Sequence, residues 1–147
     1  MVEAPTEPVL AAAAAIAVAL TWLWLGMVLA ISFLETPLKF RAPGVTLPIG
    51  LGIGRIVFRA LNIAESVLAI GLVACVLLGP APGEWSVGIA VAVLLIQLIA
   101  IRPRLTRRTN AVLAGGLSDK RSHAHLVYVG LEIVKVVALL VTGVVLL

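Results

Sequence analysis

The stretch VLAAAAAIAVALTWLWLGMVLAISFL, residues 9–34, runs for 26 residues without a charged side chain. A helix needs about 20 apolar residues to cross the roughly 30 Å hydrocarbon layer of a membrane. The stretch can therefore span a bilayer with some tilt. Glu3 and Glu7 flank it where a signal peptide has Lys or Arg, and it is longer than the usual ~7 to 15 residue signal core. We interpret it as a retained helix.

Three more apolar runs fill most of the remaining chain, at residues 51–78, 85–101 with a helical continuation to about 113, and 124–147. A polar, proline-marked segment at 35–48 predicts a loop, and the Gly and Pro residues at 79–83 predict a tight turn. Gly115 and Gly116 are expected to end the third helix. The third run has only 17 residues before Arg102, so we expect snorkelling Arg side chains or a slight adjustment of the bilayer to complete the crossing.

Composition agrees with a lipid environment, since 62% of the 147 residues are hydrophobic and only 12% are charged. So few polar groups cannot cover the surface of a domain in water. We predict an all-α polytopic membrane protein, an up-down bundle of four transmembrane helices that forms one domain over residues 1–147. The small residues Gly71, Cys75 and Gly79 follow one another at four-residue spacing and predict a close approach of another helix.

The distribution of positive charge predicts the orientation of this bundle. Ten of the eleven Lys and Arg residues lie at one side of the four runs, namely Lys39, Arg41, Arg55, Arg59, Arg102, Arg104, Arg107, Arg108, Lys120 and Arg121. Positive loops stay in the cytoplasm, so we expect the N-terminus and the C-terminus outside. A chain so biased inserts in one direction, and any homo-oligomer should be parallel.

The same bias bears on location and partners. We expect multi-pass insertion in a bacterial inner (plasma) membrane, with the basic segments in contact with anionic lipid headgroups at the cytoplasmic face. No aromatic residues are interleaved with the basic residues at 102–121, so we predict no nucleic-acid partner.

Ionisable residues inside the second and fourth helices are the candidate functional residues, because charges within a membrane are costly. Counted from residues 51 and 124, Arg59 and Glu132 each lie about 12 Å along their helices, whereas Glu65 and Lys135 lie about 21 and 16 Å along. We therefore expect two ion pairs, Arg59 with Glu132 and Glu65 with Lys135. Spacing at three and four residues adds neighbours on each helix and gives the full candidate set, Arg55, Arg59, Asn62, Glu65, His125, Tyr128, Glu132 and Lys135.

Two functions fit this charged cluster. In the first, the chain is a small transporter or channel for a polar or anionic solute, in which Glu65 and Glu132 exchange protons and Lys135 or Arg59 holds an anionic group. In the second, the buried pairs only fix helix register, and the chain is an accessory or structural subunit of a larger membrane complex. An intramembrane enzyme ranks third, because the sequence lacks a nucleophile and base constellation.

Cysteine and histidine content argues against metal and haem. The chain has one cysteine, Cys75, and two histidines, His123 and His125, which point to different sides of a helix because they are two residues apart. We predict no cofactor and no metal site. His125 is expected at the mouth of the polar stripe, where it could titrate.

The alternating glycines Gly50, Gly52 and Gly54 leave three alternatives open. They could free backbone amides to bind an anion, form a re-entrant ion filter, or simply make a flexible entrance to the second helix.

Short motifs resemble a group of small four-helix bacterial inner-membrane proteins of unknown function. They are Trp24-Leu-Gly26, Pro37-x-x-Phe40, Gly54-Arg-x-x-Phe58 and Arg102-Pro-Arg104, followed by a fourth helix opened by His125. The resemblance implies a four-helix topology and assigns no activity.

Overall fold

The computed structural model describes residues 6–79, 82–116 and 123–147. Across these ranges the chain folds into four long helices: α1 (Glu7–Lys39), α2 (Leu47–Leu78), α3 (Glu84–Leu113) and α4 (His123–Val145). All four are long and apolar enough to cross a membrane, which confirms the predicted all-α class with four spanning helices. Four residues used in the predictions lie outside the described residues: Glu3, Pro80, Lys120 and Arg121.

Consecutive helices run antiparallel. α1 packs on α2 and α4, and α3 packs on α4. Trp24, Val28, Leu72 and Leu139 are fully buried in the core between the helices. The outer surface carries apolar side chains such as Leu77, which is 81% exposed, and a surface of this kind suits lipid tails better than water.

The predicted close approach at the small residues of α2 is present. A Cβ atom added at Gly71 would lie 3.0 Å from the Leu20 side chain, and one at Gly79 would lie 2.8 Å from the Leu10 side chain. Cys75 is partly buried against the core. The glycines thus bring α1 and α2 together, with the start of α1 beside the end of α2.

The predicted loop is present but shorter than residues 35–48, because α1 continues to Lys39 and α2 begins at Leu47, which leaves residues 40–46 as the loop. A proline inside a helix clashes with the carbonyl four residues before it. In α1 the segment Leu29–Glu35 widens into a π-helix just before Pro37, and in α3 the segment Gln97–Ile101 does the same before Pro103. The wider turn moves the carbonyl away from the proline ring, and the helix continues.

The lysines and arginines that the structure describes outside α4 all lie in the part of the bundle where α1 and α3 end and where α2 and α4 begin. We call this end of the bundle the basic end; its residues are Lys39, Arg41, Arg55, Arg59, Arg102, Arg104, Arg107 and Arg108. The opposite end carries Glu7 and Glu84 in the first turns of α1 and α3. The two ends therefore differ in charge, as the sequence pattern requires.

The packing of Trp22 against α4 gives a test of the bundle. A Cβ atom at Gly143 would lie 2.8 Å from the Trp22 ring, whereas one at Gly130 on the same helix meets no atom within 4 Å. We expect Gly143→Ala to lower the free energy of unfolding by about 1 to 3 kcal/mol relative to Gly130→Ala, because overpacking displaces a rigid ring. Reversible unfolding in detergent micelles measures the difference, and the gain in helix propensity is common to both variants. Equal stability of the two variants would contradict this packing.

Candidate functional site

A buried ion cluster lies midway along the bundle, centred on the ammonium group of Lys135. Its Nζ lies 2.5 Å from Glu65 Oε1, 2.8 Å from Glu132 Oε2 and 2.8 Å from Gln97 Oε1. None of these side chains is exposed by more than 1%. An ammonium has three N–H donors, so every donor of Lys135 has an acceptor. We call Glu65, Lys135 and Glu132 the triad.

Glu132 is the most completely bonded member of the triad. Ser32 Oγ and Tyr128 Oη donate to its Oε1 at 2.6 and 3.2 Å, and Gln97 Nε2 donates to its Oε2 at 2.8 Å. With Lys135, each carboxylate oxygen of Glu132 has two donors. Four donors of this kind favour the ionised carboxylate.

Glu65 is bonded on one side only. Trp24 Nε1 donates to its Oε1 at 2.9 Å, the same oxygen that contacts Lys135. Its other oxygen, Oε2, is buried and has no hydrogen-bond partner. Because Trp24 and Ser32 come from α1, Glu65 from α2 and Gln97 from α3, the cluster joins all four helices.

The predicted ion pair between Glu65 and Lys135 is present. The predicted pair between Arg59 and Glu132 is wrong, since Arg59 is exposed and Glu132 pairs with Lys135 on its own helix. Arg59 precedes Glu65 by six residues, which places it about 120° away around α2 at ~100° per residue. Arg59 and Glu132 lie at the same depth along their helices, but Arg59 does not face the core.

Arg102 points into the bundle, so snorkelling is wrong for this arginine, whereas Arg104 and Arg107 are exposed. Its Nη2 donates to the Phe58 carbonyl at 3.1 Å and to Asn62 Oδ1 at 3.2 Å. Its guanidinium carbon lies 4.8 Å from the Phe58 ring centroid and 5.5 Å from that of Tyr128. Both contacts are within the range of cation–π attraction, which holds the guanidinium against the two rings, whose own centroids lie 5.8 Å apart.

Two cavities that share lining residues lie between the basic end and the triad. The first, which we call the vestibule, has a volume of about 440 Å³. Its cationic lining comprises Lys39, Arg55, Arg59 and Arg102, and His125 lines it as well. The second, the inner pocket, has about 160 Å³ and reaches Ser32, Tyr128 and Glu132. Both are lined by Phe58, Arg102 and His125, so Arg102 lies where the vestibule meets the inner pocket.

The eight candidate residues thus separate into two groups. Arg55, Arg59, Asn62 and His125 line the vestibule, and Arg55 also donates to Asn110 Oδ1 at 3.0 Å. The remaining four are the triad and its neighbour Tyr128. Sequence reasoning missed Trp24, Ser32 and Gln97 and gave Arg102 the wrong place. The one available signal was Gln97, a lone amide in an apolar run, because Trp24 and Ser32 belong to no polar stripe.

The glycines of α2 make room for the end of α1. A Cβ atom at Gly50 would overlap the Phe40 ring, and one at Gly54 would lie 2.9 Å from Lys39 Nζ. The re-entrant filter is wrong, because these residues already belong to α2. A free amide at Gly50 is wrong as well, since this N–H donates to the Thr46 carbonyl at 2.9 Å. Lys39 in turn lies 3.2 Å from Glu35.

On the far side of the triad the described interior is mostly apolar. Leu72 and Leu139 are fully buried there, and the hydroxyls of Ser86 and Thr142 contact each other at 2.6 Å nearer the other end. The inner pocket reaches the triad at Glu132, on the side of the basic end. Within the described ranges no group of three His, Cys, Asp or Glu side chains could hold a metal ion.

No protein-family model, curated protein or solved structure matches this chain. Its function must therefore be inferred from the geometry of the cavities and the triad.

The central position of Lys135 predicts a large loss of stability on its removal. Lys135→Met leaves two carboxylates buried without their shared cation, and breaking a buried ion pair in this way costs about 3 to 5 kcal/mol. We expect the double variant Lys135→Met with Glu65→Leu to lose less than the sum of the two single losses, with a coupling of about 1 to 3 kcal/mol. Equilibrium unfolding in micelles measures all three. Arg59→Met, at an exposed position of α2, is the control and should stay near wild type; an equal loss there would refute the central role of Lys135.

Proposed function

We propose that this chain is a small carrier that admits a polar or anionic solute through the basic end of the bundle. One observation carries the proposal, namely the two cavities that meet at Arg102 and lead from a cationic entrance to a charged cluster in mid-bundle. Ionisable residues at that depth are costly, and in membrane proteins they mark solute and ion paths.

The chemistry of the vestibule favours an anion with an apolar part. Arg55, Arg59 and Arg102 supply N–H donors suited to carboxylate or phosphate. The rings of Phe40 and Phe58 form an apolar part of the cavity wall. A volume of about 440 Å³ lies within the usual range of small-molecule sites, roughly 300 to 1,000 Å³. Small organic anions are therefore the best candidates.

The packing beyond the triad favours a carrier over an open channel. Leu72 and Leu139 fill the bundle between the triad and the opposite end. A solute in the inner pocket would need a rearrangement of the helices before it could leave on the other side. In this proposal the carrier is open at one face only in the present conformation.

Orientation and location follow from charge in this proposal. The positive-inside rule puts the vestibule at the cytoplasmic face of a bacterial inner membrane, with both termini outside. Anionic lipid headgroups would then contact Arg104 and Arg107 on the exposed surface of α3. Any homo-oligomer would be parallel, because all copies insert the same way.

The completeness of hydrogen bonding in the triad supports the second candidate function, an accessory subunit. Each donor of Lys135 and each oxygen of Glu132 is used, as expected of a cluster that only fixes helix register. In that case the cavities would bind no solute, and a larger membrane complex would need this chain for assembly.

A comparison of two arginines on α3 tests the carrier. We expect the full chain in liposomes of neutral lipid to take up radiolabelled benzoate or inorganic phosphate, and Arg102→Gln to reduce uptake about tenfold or more. A hydrogen bond to a charged group contributes about 1.5 to 3 kcal/mol, and 1.4 kcal/mol corresponds to a factor of ten. The control is Arg104→Gln, which removes the same charge from an exposed side chain that lines neither cavity.

Three outcomes separate the alternatives. Loss of uptake in Arg102→Gln alone supports a solute path through the junction of the two cavities. Equal loss in both variants indicates a general effect of surface charge. If the folded wild type takes up neither anion, the carrier is refuted for these probes and the accessory subunit is favoured.

A further inference from the structure

We infer that the triad binds one exchangeable proton and that Glu65 is the residue that holds it. The sequence left Glu65 and Glu132 as equal candidates for proton exchange, and the geometry separates them. The proton site stands on contacts within the protein; only its use as a coupling site rests on the proposed function.

The charges of the cluster call for one more proton. Two carboxylates and one ammonium leave a formal charge of −1 in a place where no member is exposed by more than 1%. Among the groups facing the triad, α1 presents the uncharged Trp24 and Ser32, and α4 presents Tyr128. From α3 come the uncharged Gln97 and the cation Arg102, which lines the inner pocket with Glu132 but bonds to the Phe58 carbonyl and Asn62 and to neither carboxylate; His125 of α4 lines the same pocket. A net charge so buried is costly, and one proton removes it.

The hydrogen bonds show where that proton fits. Both oxygens of Glu132 already accept two donors each, so a proton there would displace an existing bond. Glu65 Oε1 also accepts two, from Trp24 and Lys135. Glu65 Oε2 has no hydrogen-bond partner and is the one carboxylate oxygen of the triad that can take a proton without losing a bond.

A route for the proton runs through Lys135. The inner pocket reaches Glu132, whose Oε2 lies 2.8 Å from Lys135 Nζ, and Nζ lies 2.5 Å from Glu65. A proton that arrives on Glu132 passes to Nζ as one of the Nζ protons passes to Glu65 Oε1, and a half-turn of the Glu65 carboxyl group then exchanges its two oxygens and puts the proton at the position without a hydrogen bond. Lys135 keeps three protons and its charge, Glu132 returns to the carboxylate, and Glu65 becomes the neutral acid.

This site would couple proton and solute if the carrier is correct. An anion held at Arg102 adds negative charge beside the triad and so favours the protonated state of Glu65. Because coupling between two sites is reciprocal, the proton would equally favour the anion. Solute and proton would then move in the same direction.

Infrared spectroscopy of the full chain in lipid bilayers, with no solute present, tests the proton site. A neutral carboxylic acid gives a C=O stretching band that a carboxylate lacks, and exposed carboxyl groups with ordinary pKa values near 4 do not contribute to it at pH 7. We expect the wild type to show this band at pH 7 and Glu65→Gln to lose it. Glu35→Gln is the matched control, because Glu35 is a partly exposed glutamate paired with Lys39 and should leave the band unchanged.

Conservative replacements then locate the proton. Glu65→Asp should shift the frequency of the band, whereas Glu132→Asp should leave it in place. A band shifted only by Glu132→Asp would move the proton to Glu132 and overturn the inference, and so would a wild type without the band. If Glu65→Asp does not fold, the other two variants decide whether Glu65 holds the proton. The band should be lost in Glu65→Gln and retained in Glu35→Gln. An absent band together with anion uptake sensitive to Arg102 would refute the proton site and leave the carrier standing.

Discussion

One ammonium group holds the middle of this bundle together. The single positive charge of Lys135 lies between the carboxylates of Glu65 and Glu132, and its third contact is the amide oxygen of Gln97. Removing an ion from water costs several kcal/mol, and only a close and complete set of partners offsets that cost. Since those partners come from different helices, the depth and rotation of each helix must agree at this level.

The triad lies between two parts of the interior that differ in their lining. Toward the basic end the helices leave space, and arginine, histidine and aromatic side chains line it. Toward the other end leucine, valine and alanine side chains fill the bundle. A polar solute can therefore approach the triad from one side, while the other side stays closed by packing that also accounts for much of the stability.

Length and hydropathy were enough to predict the four helices, because a membrane imposes both on any span. Depth along the helix predicted the pairing of Glu65 with Lys135. It failed for Arg59, because two residues at one depth meet only if both also face inward. Arg102 was misplaced because a long side chain at a helix end can reach the interface or the interior, and the Phe58 and Tyr128 rings that decide between them come from other helices.

The hydrogen-bonding partners of the triad could not be predicted from the sequence for a similar reason. Trp24, Ser32 and Gln97 come from helices whose apolar pattern has no polar stripe, so only the tertiary contact reveals their role. The loop expected at Pro37 shows a limit of local rules, since a helix that widens by one residue per turn accommodates a proline that would otherwise end it.

The two widened turns have a mechanical consequence. Leu29–Glu35 and Gln97–Ile101 lie at the level of the triad in the two helices that run in the same direction, α1 and α3. Each π-turn takes in one residue more than an α-turn, and one residue corresponds to about 100° of rotation. If both turns tightened to α geometry, the basic-end portions of α1 and α3 would twist about their own axes while the opposite portions kept their packing. Pro37 and Arg102 belong to the portions that would twist, so tightening would rotate both helices at the level where Lys135 is buried.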